Sequence, residues 1–131
     1  MSAEIERRLA DFFDRRAEAA AVYLFGSAAR GTSRAGSDVD VAILFRETPA
    51  STLDGQPFGL AADLERHLGR AVDVVVLNSA PADLRIRVLR DGRLIVDRDK
   101  SRRIAFEVRT RNEFFDLEPI LRLYRTPRPV R

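Results

Sequence analysis

The chain has no cysteine and no tryptophan, and His67 is its single histidine in 131 residues. Without cysteine there is no disulfide, no thiolate metal site and no cysteine nucleophile. With one imidazole, any metal must be held mainly by carboxylates, which favours magnesium or manganese over zinc. No apolar run approaches the roughly 18 residues of a membrane-spanning helix. The start, "MSAEIERRLADFF", mixes charge into its apolar positions and does not read as a signal peptide. A cytoplasmic protein is the expectation. With 45% hydrophobic and 33% charged residues the composition is that of one ordinary globular domain, expected to span 1–131.

Charge is unevenly spread. Residues 1–80 carry 9 basic and 12 acidic side chains, whereas residues 81–131 carry 14 and 8. Only Lys100 is a lysine; the other basic residues are arginines. A basic half fits nucleic acid or an acidic partner. No dense basic run or aromatic interleaving accompanies it, so solvated helix faces explain it more simply than a nucleic-acid surface.

Ile5, Leu9, Phe12 and Phe13 recur at helical spacing and predict a helix over 3–18. "AVYLF" (21–25) reads as a strand broken by Gly26, and "DVDVAILF" (38–45) as a second. The turn-rich stretch 47–59 reads as a loop, followed by a helix around 60–69 that ends near Gly69. "AVDVVVLN" (71–78) is a third strand; 79–92 reads as a helix with Pro81 in its first turn, and 93–97 as a short strand. A helical pattern through Ile104, Val108, Phe115, Ile120 and Leu121 then runs from 99 to about 124, with a kink expected at Pro119. The residues 126–131 read as a loose tail. Strands alternating with helices predict an α/β fold, a small mixed β-sheet flanked by helices. Its core is placed at about 20–98, with a helical region at about 99–125.

The chemistry concentrates between 26 and 73. Alternate strand residues share a face, so Asp38 and Asp40 point one way while Val39, Val41 and Ile43 point the other. Asp73 stands likewise against Val72, Val74 and Val76. Placed on adjacent strands, three carboxylates converge, and their mutual repulsion calls for a cation. Hard oxygen donors suit one or two Mg²⁺ ions that keep water and phosphate oxygens in their remaining positions. Gly26 lets the backbone turn sharply and approach a ligand. Ser27 reads as the N-cap of a short helix at 28–30, whose free N–H groups would face a phosphate, with Arg30 in reach of its oxygens. Ser37 reads as a turn residue and His67 as a surface residue. Asp116 and Tyr124 read as packing or partner surface.

This order, Gly-Ser, a ten-residue spacer, then Asp-x-Asp, resembles the signature of the DNA polymerase beta-like nucleotidyltransferase superfamily. "GSAARGTSRAGSDVDVAIL" is most similar to the minimal nucleotidyltransferases, and "DLRIRVLRDGRLIVDRD" resembles them too. The resemblance covers about 20–125. It implies a nucleotidyltransferase fold, with Gly26 and Ser27 binding nucleotide phosphates and Arg30 as the basic residue after the turn. It implies Asp38 and Asp40 as metal ligands, Asp73 as the third catalytic carboxylate, two Mg²⁺ ions, and ATP as substrate. Such proteins often serve as antitoxins of a HEPN-domain ribonuclease toxin, which implies transfer of AMP to a tyrosine of that partner and a possible hetero-oligomer with it. Two alternatives stay open: transfer to an aminoglycoside-like small molecule, and a non-catalytic antitoxin that neutralises by binding.

Overall fold

A computed structural model describes residues 2–26, 38–49 and 59–125, with side chains described within them from Ala3 to Phe115. Ser27, Arg30, Ser37, the short helix expected at 28–30, residues 50–58 of the expected loop and the tail 126–131 lie outside the described residues. So do the side chains of Asp116, Ile120, Leu121 and Tyr124.

Four strands form one mixed sheet: β1 (Ala19–Phe25), β2 (Val39–Phe45), β3 (Val72–Val76) and β4 (Arg93–Asp97). Their order across the sheet is β3-β2-β1-β4. The pairs β1–β2 and β1–β4 are antiparallel, and β2–β3 is parallel. A parallel pair needs a crossover, and α2 (Leu60–Leu68) lies within it. The remaining helices are α1 (Ser2–Phe13), α3 (Ala82–Asp91) and α4 (Lys100–Arg125). This is the α/β architecture expected from the alternation of strands and helices.

The central strands β1 and β2 are buried on both faces because both of their alternating rows are apolar. Val39, Val41, Ile43 and Phe45 of β2 pack with Val72, Val74 and Val76 of β3 against Ile5, Leu9 and Phe13 of α1 and Leu60, Leu64 and Leu68 of α2. The opposite row, including Tyr23, Ala42 and Leu44, packs against Val88 of α3 and Phe106 of α4. Each fully buried Leu or Phe contributes about 1.5–3 kcal/mol of transfer free energy.

β2 starts at Val39 rather than 38 and β3 at Val72 rather than 71. α3 spans Ala82–Asp91 rather than 79–92, with Pro81 as its N-cap instead of in its first turn. Three other boundaries differ for tertiary reasons. α1 stops at Phe13 rather than 18, because the Arg98 guanidinium donates to the carbonyls of Phe13 and Arg16, at 2.6 Å each, and of Ala19 at 3.3 Å. A cation there satisfies the orphan carbonyls of the helix end and complements its dipole. β1 begins two residues early, at Ala19, as Arg98 N–H and Asp99 N–H donate to Ala20 O at 2.9 and 3.1 Å. β3 ends at Val76; Asn78 then bonds to both backbone groups of Phe45, at 2.9 and 3.0 Å. Gly69 ends α2 as expected, with φ 70° and its N–H on Glu65 O at 2.8 Å.

α4 starts at Lys100, after Asp99, whose carboxylate accepts the Arg102 N–H at 3.2 Å. It continues through Pro119 to Arg125. The face that it buries is not the one its aliphatic spacing suggests. Phe106 and Thr110 are buried, while Ile104, Val108 and Phe115 point outward.

Candidate active site

The candidate residues gather at one end of the sheet, where β1 finishes and β2 and β3 begin. In β1–β2 pairing Phe25 stands opposite Asp40. In the parallel β2–β3 ladder Asp40 stands opposite Asp73. Neighbouring strands are about 4.8 Å apart, so matched register places these two carboxylates side by side. Both continue the rows that face α3 and α4, since Val39, Val41, Val72 and Val74 occupy the opposite rows. Asp40 is half-buried and Asp73 exposed, so the pair stands at the rim of the sheet, open to a ligand.

Gly26 closes β1 with φ 74°, the left-handed region that glycine adopts without strain. It also gives Asp40 room. A Cβ on Gly26 would collide with Oδ2 of Asp40 and lie 3.1 Å from its Cγ and 3.4 Å from its Cβ. The turn and the carboxylate are therefore one packed unit.

Asp38 precedes β2, where Val39 N–H donates to Ala71 O at 2.9 Å. It lies two residues from Asp40 but outside the ladder, and is exposed. Strand alternation therefore does not fix its side chain beside the other two. Among the described residues no three acidic or imidazole side chains form a group that could hold a metal ion. Of the converging triad expected from the sequence, the structure shows a register-matched pair, Asp40 and Asp73, with Asp38 just outside the ladder. Ser27 and Arg30, the expected phosphate contacts, lie outside the described residues. His67 is exposed, its Nε2 donating to Arg8 O at 3.0 Å, and bridges α1 and α2 as a surface residue does.

Side chains that carried no expectation organise the rest of that face. Tyr23 is buried and donates its hydroxyl to Glu107 at 2.8 Å. Burial first, and then the hydrogen bond to that carboxylate, push the phenol above its ordinary range. Arg103 bridges onward, 3.1 Å from Glu107 and 2.9 Å from Asp97, and the Asp97 hydrogen bond raises its pKa further. Arg85 ties α3 to α4 through Thr110 at 3.2 Å and through Glu113, and also donates to Ala80 O at 3.0 Å. Only the polar handle of Tyr23 inside an apolar strand signals any of this in the sequence. A polar cleft of about 910 Å³, with Asn78, Arg85, Arg102 and Arg109 in its lining, opens near the far ends of β2 and β3, away from Asp40 and Asp73.

Residues 7–101 match the family described as Polymerase beta, Nucleotidyltransferase. The chain belongs to this nucleotidyltransferase family. Among solved structures it is similar to a chain of a toxin–antitoxin complex with AMP-PNP, at 26% identity and TM-score 0.69, covering 88% of this chain and 94% of that one. It is similar to a chain of the MntA–HepT toxin–antitoxin, at 23% identity and TM-score 0.65, with coverage of 91% and 95%. A third is a chain of a complex from Shewanella oneidensis, a tri-AMPylated HEPN toxin with MNT antitoxin, at 23% identity, TM-score 0.66, and coverage of 92% and 96%. The two at 23% show a shared fold. No curated protein matches the sequence significantly.

Proposed function

We propose that the chain is a magnesium-dependent adenylyltransferase that moves AMP from ATP to a tyrosine hydroxyl of a helical HEPN-type toxin, and so acts as its antitoxin. The observation that carries this reading is Asp40, in register with Asp73 and packed onto the Gly26 turn. Three catalytic carboxylates, Asp38, Asp40 and Asp73, then surround the reacting phosphate, with Gly26, Ser27 and Arg30 on the rest of the nucleotide.

The donor set fits magnesium, which takes one or two carboxylates and completes its shell with water and phosphate oxygens. Asp40 and Asp73 would hold it, with Asp38 added when the nucleotide arrives. When bound there, magnesium supplies charge neutralisation at the phosphates. In the transfer itself the tyrosine oxygen attacks the α-phosphorus, an O–P bond forms, and the bond to the bridging oxygen breaks as pyrophosphate leaves. Asp73, the exposed member of the pair, is placed to accept the hydroxyl proton. Asp40, held by Gly26, keeps the site rigid while charge moves. Related chains solved with AMP-PNP, and in a complex whose toxin is AMPylated, support the choice of nucleotide and of acceptor.

The test is the mass of the HEPN-type partner after incubation with ATP, Mg²⁺ and a catalytic amount of the chain. One or more added AMP groups are expected, with none in the presence of EDTA.

A further inference from the structure

α4 is 26 residues long, about 39 Å at 1.5 Å per residue. Its inner side is committed to the core through Phe106 and Thr110. Its outer side is not. Ile104, Val108 and Phe115 are 44%, 52% and 65% exposed and, with Leu94, are the exposed large hydrophobics among the described residues. Scattered exposed apolar residues need no explanation. These three do not scatter: with Arg111 they follow the 4-3-4 spacing of a seam between paired helices.

Arg111 identifies what fits that seam. It sits within the apolar row and is half-exposed, with Nη1 3.9 Å from Glu107 Oε1. Glu107 also accepts from Tyr23 at 2.8 Å and Arg103 at 3.1 Å, so Arg111 shares that carboxylate with two other donors and, being half-exposed, can also reach an outside one. Exposed Lys100, one turn before Ile104, adds basic charge on the same side of the helix. A second copy fits poorly. Paired antiparallel, it sets Arg111 against Val108; paired parallel, against another Arg111. Either way the residue that meets Arg111 across the seam is not an acid, so the copy adds nothing to the 3.9 Å pairing with Glu107.

We propose that the outer face of α4 is the docking surface for an amphipathic helix of the protein partner, one with an Asp or Glu opposite Arg111 and apolar residues on Ile104, Val108 and Phe115. This rests on the reading of that partner as a helical HEPN-type toxin and adds where it is held. It places docking on a surface separate from the carboxylates, so the partner stays bound while its tyrosine is presented to the nucleotide.

The experiment is titration calorimetry of the chain with a HEPN-domain protein from the same genome, without nucleotide. Phe115→Asp and Arg111→Glu should each weaken binding by about tenfold or more, as truncation of a central interface residue does. Arg90→Glu, on an exposed part of α3, should leave it unchanged. Both α4 variants alter exposed side chains, and unchanged thermal melts will show that they fold. Hydrogen exchange should slow over 104–115 in the complex. Binding within about twofold of wild type by both α4 variants, or no complex with the wild-type chain, overturns the proposal. So does light scattering that finds the isolated chain dimeric and Phe115→Asp monomeric, which would give the face to a second copy. A chain that binds but transfers no AMP leaves the docking surface standing and removes the catalytic reading. Transfer with binding insensitive to both α4 variants does the reverse.

Discussion

Replacing Gly26 with alanine tests the link between the turn and the carboxylate. Two costs arise and fall on different observables. Alanine at φ 74° carries left-handed backbone strain of about 1–2 kcal/mol, which lowers the melting temperature by roughly 4 °C per kcal/mol in a chain of this size. The new Cβ also collides with Oδ2 of Asp40, and Cγ at 3.1 Å and Cβ at 3.4 Å crowd it as well. Rotating the carboxyl group alone therefore does not clear the contact. A shift of about 1 Å at a reacting centre costs about 10²-fold in rate, or about 2.7 kcal/mol of barrier. Gly69→Ala is the control: its φ is 70°, but nothing lies within 4 Å of an added Cβ. Differential scanning calorimetry and transfer of labelled AMP should find both variants destabilised to a similar degree, and only Gly26→Ala slow. If Gly26→Ala transfers AMP at the wild-type rate, Asp40 does not need the position that the turn gives it, and the reasoning fails.

Tyr23→Phe should cost about 1.5–3 kcal/mol in urea unfolding, the worth of a hydrogen bond to a charged acceptor. Because the folded phenol holds its proton more tightly than the unfolded one, the wild-type contribution is complete below pH 10 and is lost as the pH rises above it. Tyr23→Phe should lack that alkaline loss, and a parallel decline in both proteins would contradict the assignment. Arg98→Ala leaves the carbonyls of Phe13, Arg16 and Ala19 without their donor and should cost about 2 kcal/mol. A loss under about 0.5 kcal/mol would mean that water replaces the guanidinium at the end of α1.

The register match of Asp40 with Asp73 was readable in the sequence because its logic is local. Alternation placed Asp40 and Asp73 opposite the valines, and adjacency of β2 and β3 did the rest. Asp38 escaped that rule by one residue, since pairing starts at Val39 and alternation constrains only what lies in the ladder. Boundaries were hidden where a distant group sets them. No pattern within 3–18 announces that α1 ends at Phe13, because the terminator is Arg98, 85 residues further on. In α4 the aliphatic spacing was clear, but it marked the outer face. Burial there goes to Phe106, and to Thr110, which accepts a hydrogen bond from Arg85. A period shows that a helix has a stripe, but not what covers the stripe. Among the described residues nothing covers Ile104, Val108 and Phe115.

The most direct test of catalysis is intact mass spectrometry of the HEPN-type partner after incubation with ATP, Mg²⁺ and either the wild-type chain or Asp40→Asn at one-hundredth of its concentration. Wild type should add AMP to the partner and silence its ribonuclease activity. Asp40→Asn should be slower by about 10²–10³-fold, the usual cost of losing one electrostatic stabiliser of the transition state, while melting like the wild type. An unmodified partner that wild type and Asp40→Asn silence equally at stoichiometric amounts would contradict catalysis and leave contact as the mechanism.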